Sequence, residues 1–162
     1  MKRIGVISDT HMKRPDRYLE KVAKKHLKDV DMVIHAGDMV CLDVLDIFHE
    51  MGKNIIAVCG NMDMADVREY YPAKRQITIE GITIGITHGW GSPDGIRQRI
   101  RPSFDKVDAI VYGHTHQAFS GVESGILFFN PGSPTESRFT TSNSVGIIEV
   151  HDNNIKGEII TL

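Results

Sequence analysis

Cysteine is scarce in this chain, with only Cys41 and Cys59 among 162 residues. Two cysteines outside a CxxC arrangement exclude a disulfide framework, and reduced thiols in a cytoplasmic protein are the expectation. Cys59 closes an apolar run, which gives it a packing role. A surplus of either charge is also missing: 19 Lys and Arg stand against 21 Asp and Glu, a net charge of −2. No basic field therefore exists to hold a long nucleic acid. Long apolar runs are absent as well. Nothing approaches the roughly 20 residues that cross a bilayer, and Ile4 to Ile7 is too short for the core of a signal peptide. No membrane association is expected. Tryptophan occurs once, at Trp90.

What remains is 41% apolar and 25% charged, the balance of a globular chain. Its length suffices to bury roughly 68–70% of the unfolded surface, and a single domain over residues 1–162 is expected. Ile4–Ile7, Met32–Ile34 and Ile55–Val58 are short apolar runs that read as buried strands. Between them, Arg17–Lys28 and Val40–Met51 read as helices, the second closed by Gly52. Buried strands alternating with helices predict a parallel sheet. The second half is richer in strands: Gln76–Glu80, Thr83–Thr87, Ala109–Tyr112, Phe119–Glu123, Ile126–Phe129, Val145–His151 and Ile155–Thr161. Gly81-Ile82 and Asn153-Asn154 mark hairpin turns, and Ile96–Phe104 reads as a helix. One α/β domain with two sheets follows.

Eight histidines are many for this length, and several recur in one setting. Each of five apolar runs ends in a small polar cluster: Asp9-Thr10-His11, Gly37-Asp38, Gly60-Asn61-Met62-Asp63, His88-Gly89 and Gly113-His114-Thr115-His116. Ligands in α/β sheets bind beyond the carboxyl ends of the strands. Neighbouring strands would bring Asp9, His11, Asp38, Asn61, His88, His114 and His116 to one rim. Hard oxygen and borderline nitrogen donors suit Mn²⁺, Fe or Zn²⁺ better than Ca²⁺. Seven donors exceed one tetrahedral ion and match two ions that share a carboxylate. Ions roughly 3.5–4 Å apart serve in-line displacement at phosphorus.

The order of these motifs resembles the calcineurin-like metallophosphoesterases, whose pattern D-x-H, G-D, G-N-x-D/E, H-G, G-H-x-H is met in full. Length, spacing and the Asn130-Pro131-Gly132-Ser133 stretch look most like the small YfcE-type phosphodiesterase branch. The resemblance covers nearly the whole chain. It implies a four-layer sandwich of two mixed β-sheets flanked by helices, the metallo-dependent phosphatase fold. It also implies two divalent ions, Mn²⁺ foremost, with Ni²⁺, Zn²⁺, Fe²⁺ or Mg²⁺ compatible with the same ligands. Asp9, His11 and His116 would hold one ion and Asn61, His88 and His114 the other, with Asp38 bridging. Catalysis would fall to Asp38, Asn61 and His114 with a hydroxide held between the ions, acting on a small phosphodiester. A homodimer or higher homo-oligomer is implied by the same resemblance.

One position departs from the pattern. Many members carry histidine after Gly-Asn, and here it is Met62, which cannot donate a proton. Poor leaving groups are therefore expected to react slowly. Asp63 is expected to orient the loop rather than bind metal. His35 reads as a core histidine or one that orients a ligand, and Arg97, Arg99 and Arg101 as a solvated helix face. Trp90 is a candidate to stack on a base or aryl group, Asn61 to contact substrate, and Ser133 to touch phosphate. Alternative readings are a phosphomonoesterase or nucleotide phosphatase, and a non-catalytic protein-interaction scaffold of the same fold.

Overall fold

The computed structural model describes every residue except 137 and 139. Among the described residues, ten strands form two mixed five-stranded sheets. In the first, β1 (Lys2–Ile7), β2 (Met32–His35) and β3 (Asn54–Ala57) run parallel, and β9 (Ser144–His151) and β10 (Asn154–Thr161) join as antiparallel neighbours in the order β10-β9-β1-β2-β3. The second has the order β4-β5-β6-β8-β7. Here β5 (Ile82–Thr87), β6 (Ala109–Val111) and β8 (Ile126–Asn130) are parallel, while β4 (Lys74–Ile79) and β7 (Phe119–Glu123) form antiparallel edges.

Packing explains the four layers. Ile4, Val6, Ile34 and Ile56 face Ile84, Ile86, Val111 and Phe129 in the core between the sheets. The outer face of the first sheet is covered by α1 (Arg17–His26) and α2 (Asp46–Glu50) through Leu19, Val22, Ala23 and Phe48. The outer face of the second is covered by α4 (Ile96–Ile100) through Ile96 and Ile100, with Phe104 and Tyr112. Helix α1 is capped by Asp16, whose side chain accepts from the Leu19 N–H at 2.8 Å. This is the expected sandwich. Among the described residues no helix is long and apolar enough to cross a membrane.

Local features depart from expectation at four places. The hairpin expected to turn at Gly81-Ile82 turns at Glu80-Gly81, both at positive φ, because Ile82 already opens β5. The helix expected to begin at Val40 starts as a 3₁₀ turn at Leu42, because Val40 is held at φ 80° with its N–H donated to Asp63 Oδ1 at 2.6 Å. A short helix, α3 (Ala65–Tyr70), was not signalled by the sequence, since only Val67 in it is buried. The last hairpin turns at Asp152-Asn153, both at positive φ, and Asn154 already pairs with His151.

Candidate metal centre

The parallel trio β1-β2-β3 and the parallel pair β5-β6 end at the same side of the sandwich, so their five following loops converge. Asp9, His11, Asp38, His114 and His116 all sit at positive φ, between 48° and 71°. Non-glycine residues hold that conformation only where the surroundings over-determine it, at a cost of about 1–3 kcal/mol each. Glycines allow the close approach. A Cβ on Gly60 would lie 2.2 Å from Asp38 Oδ1, and one on Gly113 would lie 2.0 Å from Ser8 Oγ.

Two groups of potential ligand atoms result: Asp9, His11 and His116, and Asp9, Asp38 and His88. Asp9 Oδ1 lies 3.3 Å from His116 Nε2 and 3.6 Å from His11 Nε2. The two histidine nitrogens are 3.0 Å apart. Asp38 Oδ2 lies 3.2 Å from His88 Nε2 and 3.8 Å from His11 Nε2, so it faces a histidine of each group. Donors about 2.1 Å from a common ion stand at roughly such separations.

Each carboxylate is anchored by one oxygen and offers the other. Asp9 Oδ2 accepts from Ser8 Oγ at 2.7 Å and the His114 N–H at 3.0 Å, while Asp38 Oδ1 accepts from the Met62 N–H at 2.7 Å. Asp9 Oδ1 and His88 Nε2 are buried without a hydrogen bond among the described residues. Leaving such atoms unsatisfied costs roughly 1–3 kcal/mol each, and a cation between them removes that cost. His88 Nδ1–H donates to Ala36 O at 2.8 Å, which aims Nε2 at the carboxylates, where a divalent cation would take the place of its proton. His114 behaves alike. Its Nε2–H donates to Gly91 O at 2.9 Å, leaving Nδ1 to face Asn61 Oδ1 at 3.1 Å. The donor set and its orphaned atoms thus fit divalent ions.

Electrostatics agree. Burial opposes a charge on Asp9, but His11 and His116 outweigh it and hold the carboxyl well below its usual range. Asp38 is lowered too, burial again opposing and His88 prevailing. At His88 burial favours the neutral ring, and the facing carboxylates of Asp38 and Asp9 raise it to about 9 in the metal-free chain. Both acids are therefore ionised at neutral pH and ready for cations.

A family model of the calcineurin-like phosphoesterase superfamily domain matches residues 1–153. The chain belongs to that superfamily. A probable metallophosphoesterase of Methanocaldococcus jannaschii is 37% identical over 138 residues, covering 83% of this chain and 69% of that one. A phosphodiesterase of the same organism is 30% identical over 141 residues, covering 80% and 82%. The solved structure of an archaeal phosphodiesterase superposes with a TM-score of 0.75 at 26% identity, covering 98% of this chain and 99% of that one. Family and ligand cluster together make this calcineurin-like phosphoesterase a metal-dependent enzyme rather than a scaffold.

The remaining residues of the phosphoesterase take defined places. Asn61 and His114 pair at the rim and border the cavity that lies over the clusters, together with His11, Asp38 and the exposed Met62. Asp63 receives the N–H groups of Asp38, Gly60 and Val40 at 3.0, 2.6 and 2.6 Å, and so shapes the Asp38 loop. Trp90 is half-exposed beside His88 and Asn61. Ser133 is fully buried, and its hydroxyl donates to Asp9 O at 2.7 Å. It braces the Asp9 loop rather than reaching a phosphate. Arg97, Arg99 and Arg101 are half-buried, and they donate to Glu123, to the Ser92 and Asp94 carbonyls, and to Phe104 O. His26, His49 and His151 belong to neither cluster.

Asn130 is a supporting residue whose role the sequence did not single out. Its Nδ2 donates to Gly113 O and Thr115 Oγ1, both at 3.0 Å, and locks the Gly113–His116 loop. It follows the apolar run of β8, the same signal that marked the ligands.

His35 is fully buried and orients the first loops. Gly37 N–H donates to its Nδ1 at 3.2 Å, so Nε2–H donates to Thr10 Oγ1 at 3.1 Å. Burial pushes its pKa down to about 4 from 6.5. Between those values the unfolded chain binds a proton that the folded chain refuses. Stability therefore falls as pH drops through this window, by up to about 1.4 kcal/mol per unit. His35→Gln is expected to lower stability at pH 7 and to flatten this slope. Urea unfolding of metal-free protein at pH 7 and pH 5 reads the difference, and identical slopes would exonerate His35.

Proposed function

We propose that this phosphoesterase hydrolyses small phosphodiesters with two divalent ions, Mn²⁺ foremost. Asp9, His11 and His116 would hold one ion, and Asn61, His88 and His114 the other, with Asp38 shared. The observation that carries this reading is the pair of carboxylate oxygens Asp9 Oδ1 and Asp38 Oδ2, each of which faces both His11 and His88. When bound, such ions polarise the phosphoryl group and supply a water-derived nucleophile at neutral pH.

The chain's own residues do the rest. Asp9 and Asp38 supply the negative charge that retains cations. The Ala36 and Gly91 carbonyls fix the tautomers of His88 and His114. Asn61 brings an amide to the rim where a phosphoryl oxygen would lie, and its backbone carbonyl is held by Arg68 at 2.6 Å. Met62 borders the same cavity and offers no proton, which favours esters whose leaving groups need none.

The test is a screen of metal-free protein reloaded with Mn²⁺ against bis(nitrophenyl) phosphate, nitrophenyl phosphate and cyclic nucleotides. The diester is expected to turn over fastest by kcat/KM. Preference for the monoester would replace the diesterase reading with a phosphomonoesterase one.

A further inference from the structure

Two cavities meet at Asn61. One, of 500 Å³, lies over the ligand clusters. The other, of 520 Å³, opens beside Asn61 and His88 and is bordered by Trp90, Arg68 and Lys74. Both fall in the range of roughly 300–1,000 Å³ typical of small-molecule sites. A phosphodiester has two arms, and a phosphorus atom at the clusters would leave room for an arm in each cavity.

The second cavity has a distinct chemistry. Trp90, 48% exposed, is not packed away in the core. Its loop is braced from two sides: Arg99 donates to Ser92 O at 2.8 Å and Asp94 O at 3.3 Å, and Gly91 O accepts from His114. The indole is thus offered on a fixed support. Arg68 commits Nε to Asp63 O and one Nη2 hydrogen to Asn61 O, which leaves three of its five donors. Lys74 Nζ donates to Ser103 O at 3.1 Å and keeps two more. Among the described residues no acidic side chain lines this cavity. A half-exposed indole beside two unopposed cations is a recognition surface for an aromatic base joined to phosphate.

We infer that this cavity receives a nucleotide arm, with the base against Trp90 and a phosphate at Arg68 and Lys74. The inference rests on the phosphodiesterase reading and names its substrate class, small diesters in which one arm is a nucleoside phosphate. Trp90 is the sole tryptophan, so protein fluorescence excited at the indole reports on this cavity alone.

The experiment has a binding arm and a kinetic arm. In EDTA, adenosine monophosphate is expected to quench Trp90 and to bind more tightly than adenosine or inorganic phosphate. Lys74→Ala should remove the advantage of the nucleotide over the nucleoside. With Mn²⁺ restored, thymidine 3′-phosphate 5′-(nitrophenyl phosphate) and methyl nitrophenyl phosphate share one leaving group, and only the thymidine ester carries a base and a second phosphate in the other arm. Trp90→Ala should raise KM for the thymidine ester about tenfold and for the methyl ester much less, with Trp90→Phe restoring the difference. No quenching, with both esters responding alike while bis(nitrophenyl) phosphate is still hydrolysed, would overturn the nucleotide arm and leave the diesterase standing. Quenching with no hydrolysis of any diester would instead overturn the diesterase reading.

Discussion

Asp38→Asn is expected to lose both ions and to fall further in kcat/KM than either His11→Ala or His88→Ala. The reason is positional. Asp38 Oδ2 faces a histidine of each set, at 3.2 Å and 3.8 Å, and Asp9 Oδ1, which faces His11 and His116, also stands 3.8 Å from His88. The other oxygen of Asp38 is anchored by the Met62 N–H. Asparagine preserves the size of the side chain and removes the charge, so the loop stays folded while cation binding fails. Loss of residues that merely support a metal ligand costs about 10–100-fold in affinity, and loss of a shared ligand should exceed that. Each histidine substitution removes one donor from one set. Elemental analysis and kcat/KM of the three variants decide it. Retention of two ions and normal turnover in Asp38→Asn would remove Asp38 from the shared position.

The second large effect concerns the leaving group. Met62 is 58% exposed and borders the cavity over the clusters. A thioether cannot protonate a departing oxygen. Nitrophenolate leaves as a stable anion and needs no proton, whereas an alkoxide does. A positioned general acid typically contributes about 10²–10⁴-fold, and that factor is expected to separate alkyl from aryl diesters in the wild type. Met62→His should narrow the gap by raising the alkyl rate more than the aryl rate. The comparison is kcat/KM on matched aryl and alkyl diesters at fixed metal. Equal wild-type rates would show that another group already supplies the proton.

The candidate ligands were legible because of where they stand. Asp9, Asp38, His88 and His114 each stand just past the end of a short, largely apolar run that packs into a sheet. A polar residue just past such a run lies at the sheet's carboxyl edge, and five in order leave little room for coincidence. The carbonyls of Ala36 and Gly91, which orient His88 and His114, were not legible, since every residue carries one. Positive φ at Asp9 and His116 was equally hidden, because nothing short of glycine announces it in a sequence. Helix α3 went unseen for want of a periodic apolar face, Val67 being its single buried residue. Val40 looked helical by hydropathy and is instead pinned by Asp63, a long-range bond that no local pattern encodes.

The central claim is that two divalent ions sit side by side among Asp9, Asp38 and the histidines. Electron paramagnetic resonance of the protein loaded with two equivalents of Mn²⁺ tests it most directly. Ions about 3.5–4 Å apart across a shared carboxylate are expected to give an exchange-coupled spectrum, and Asp38→Asn should abolish it. The six-line spectrum of isolated Mn²⁺ in the fully loaded wild type would contradict the account.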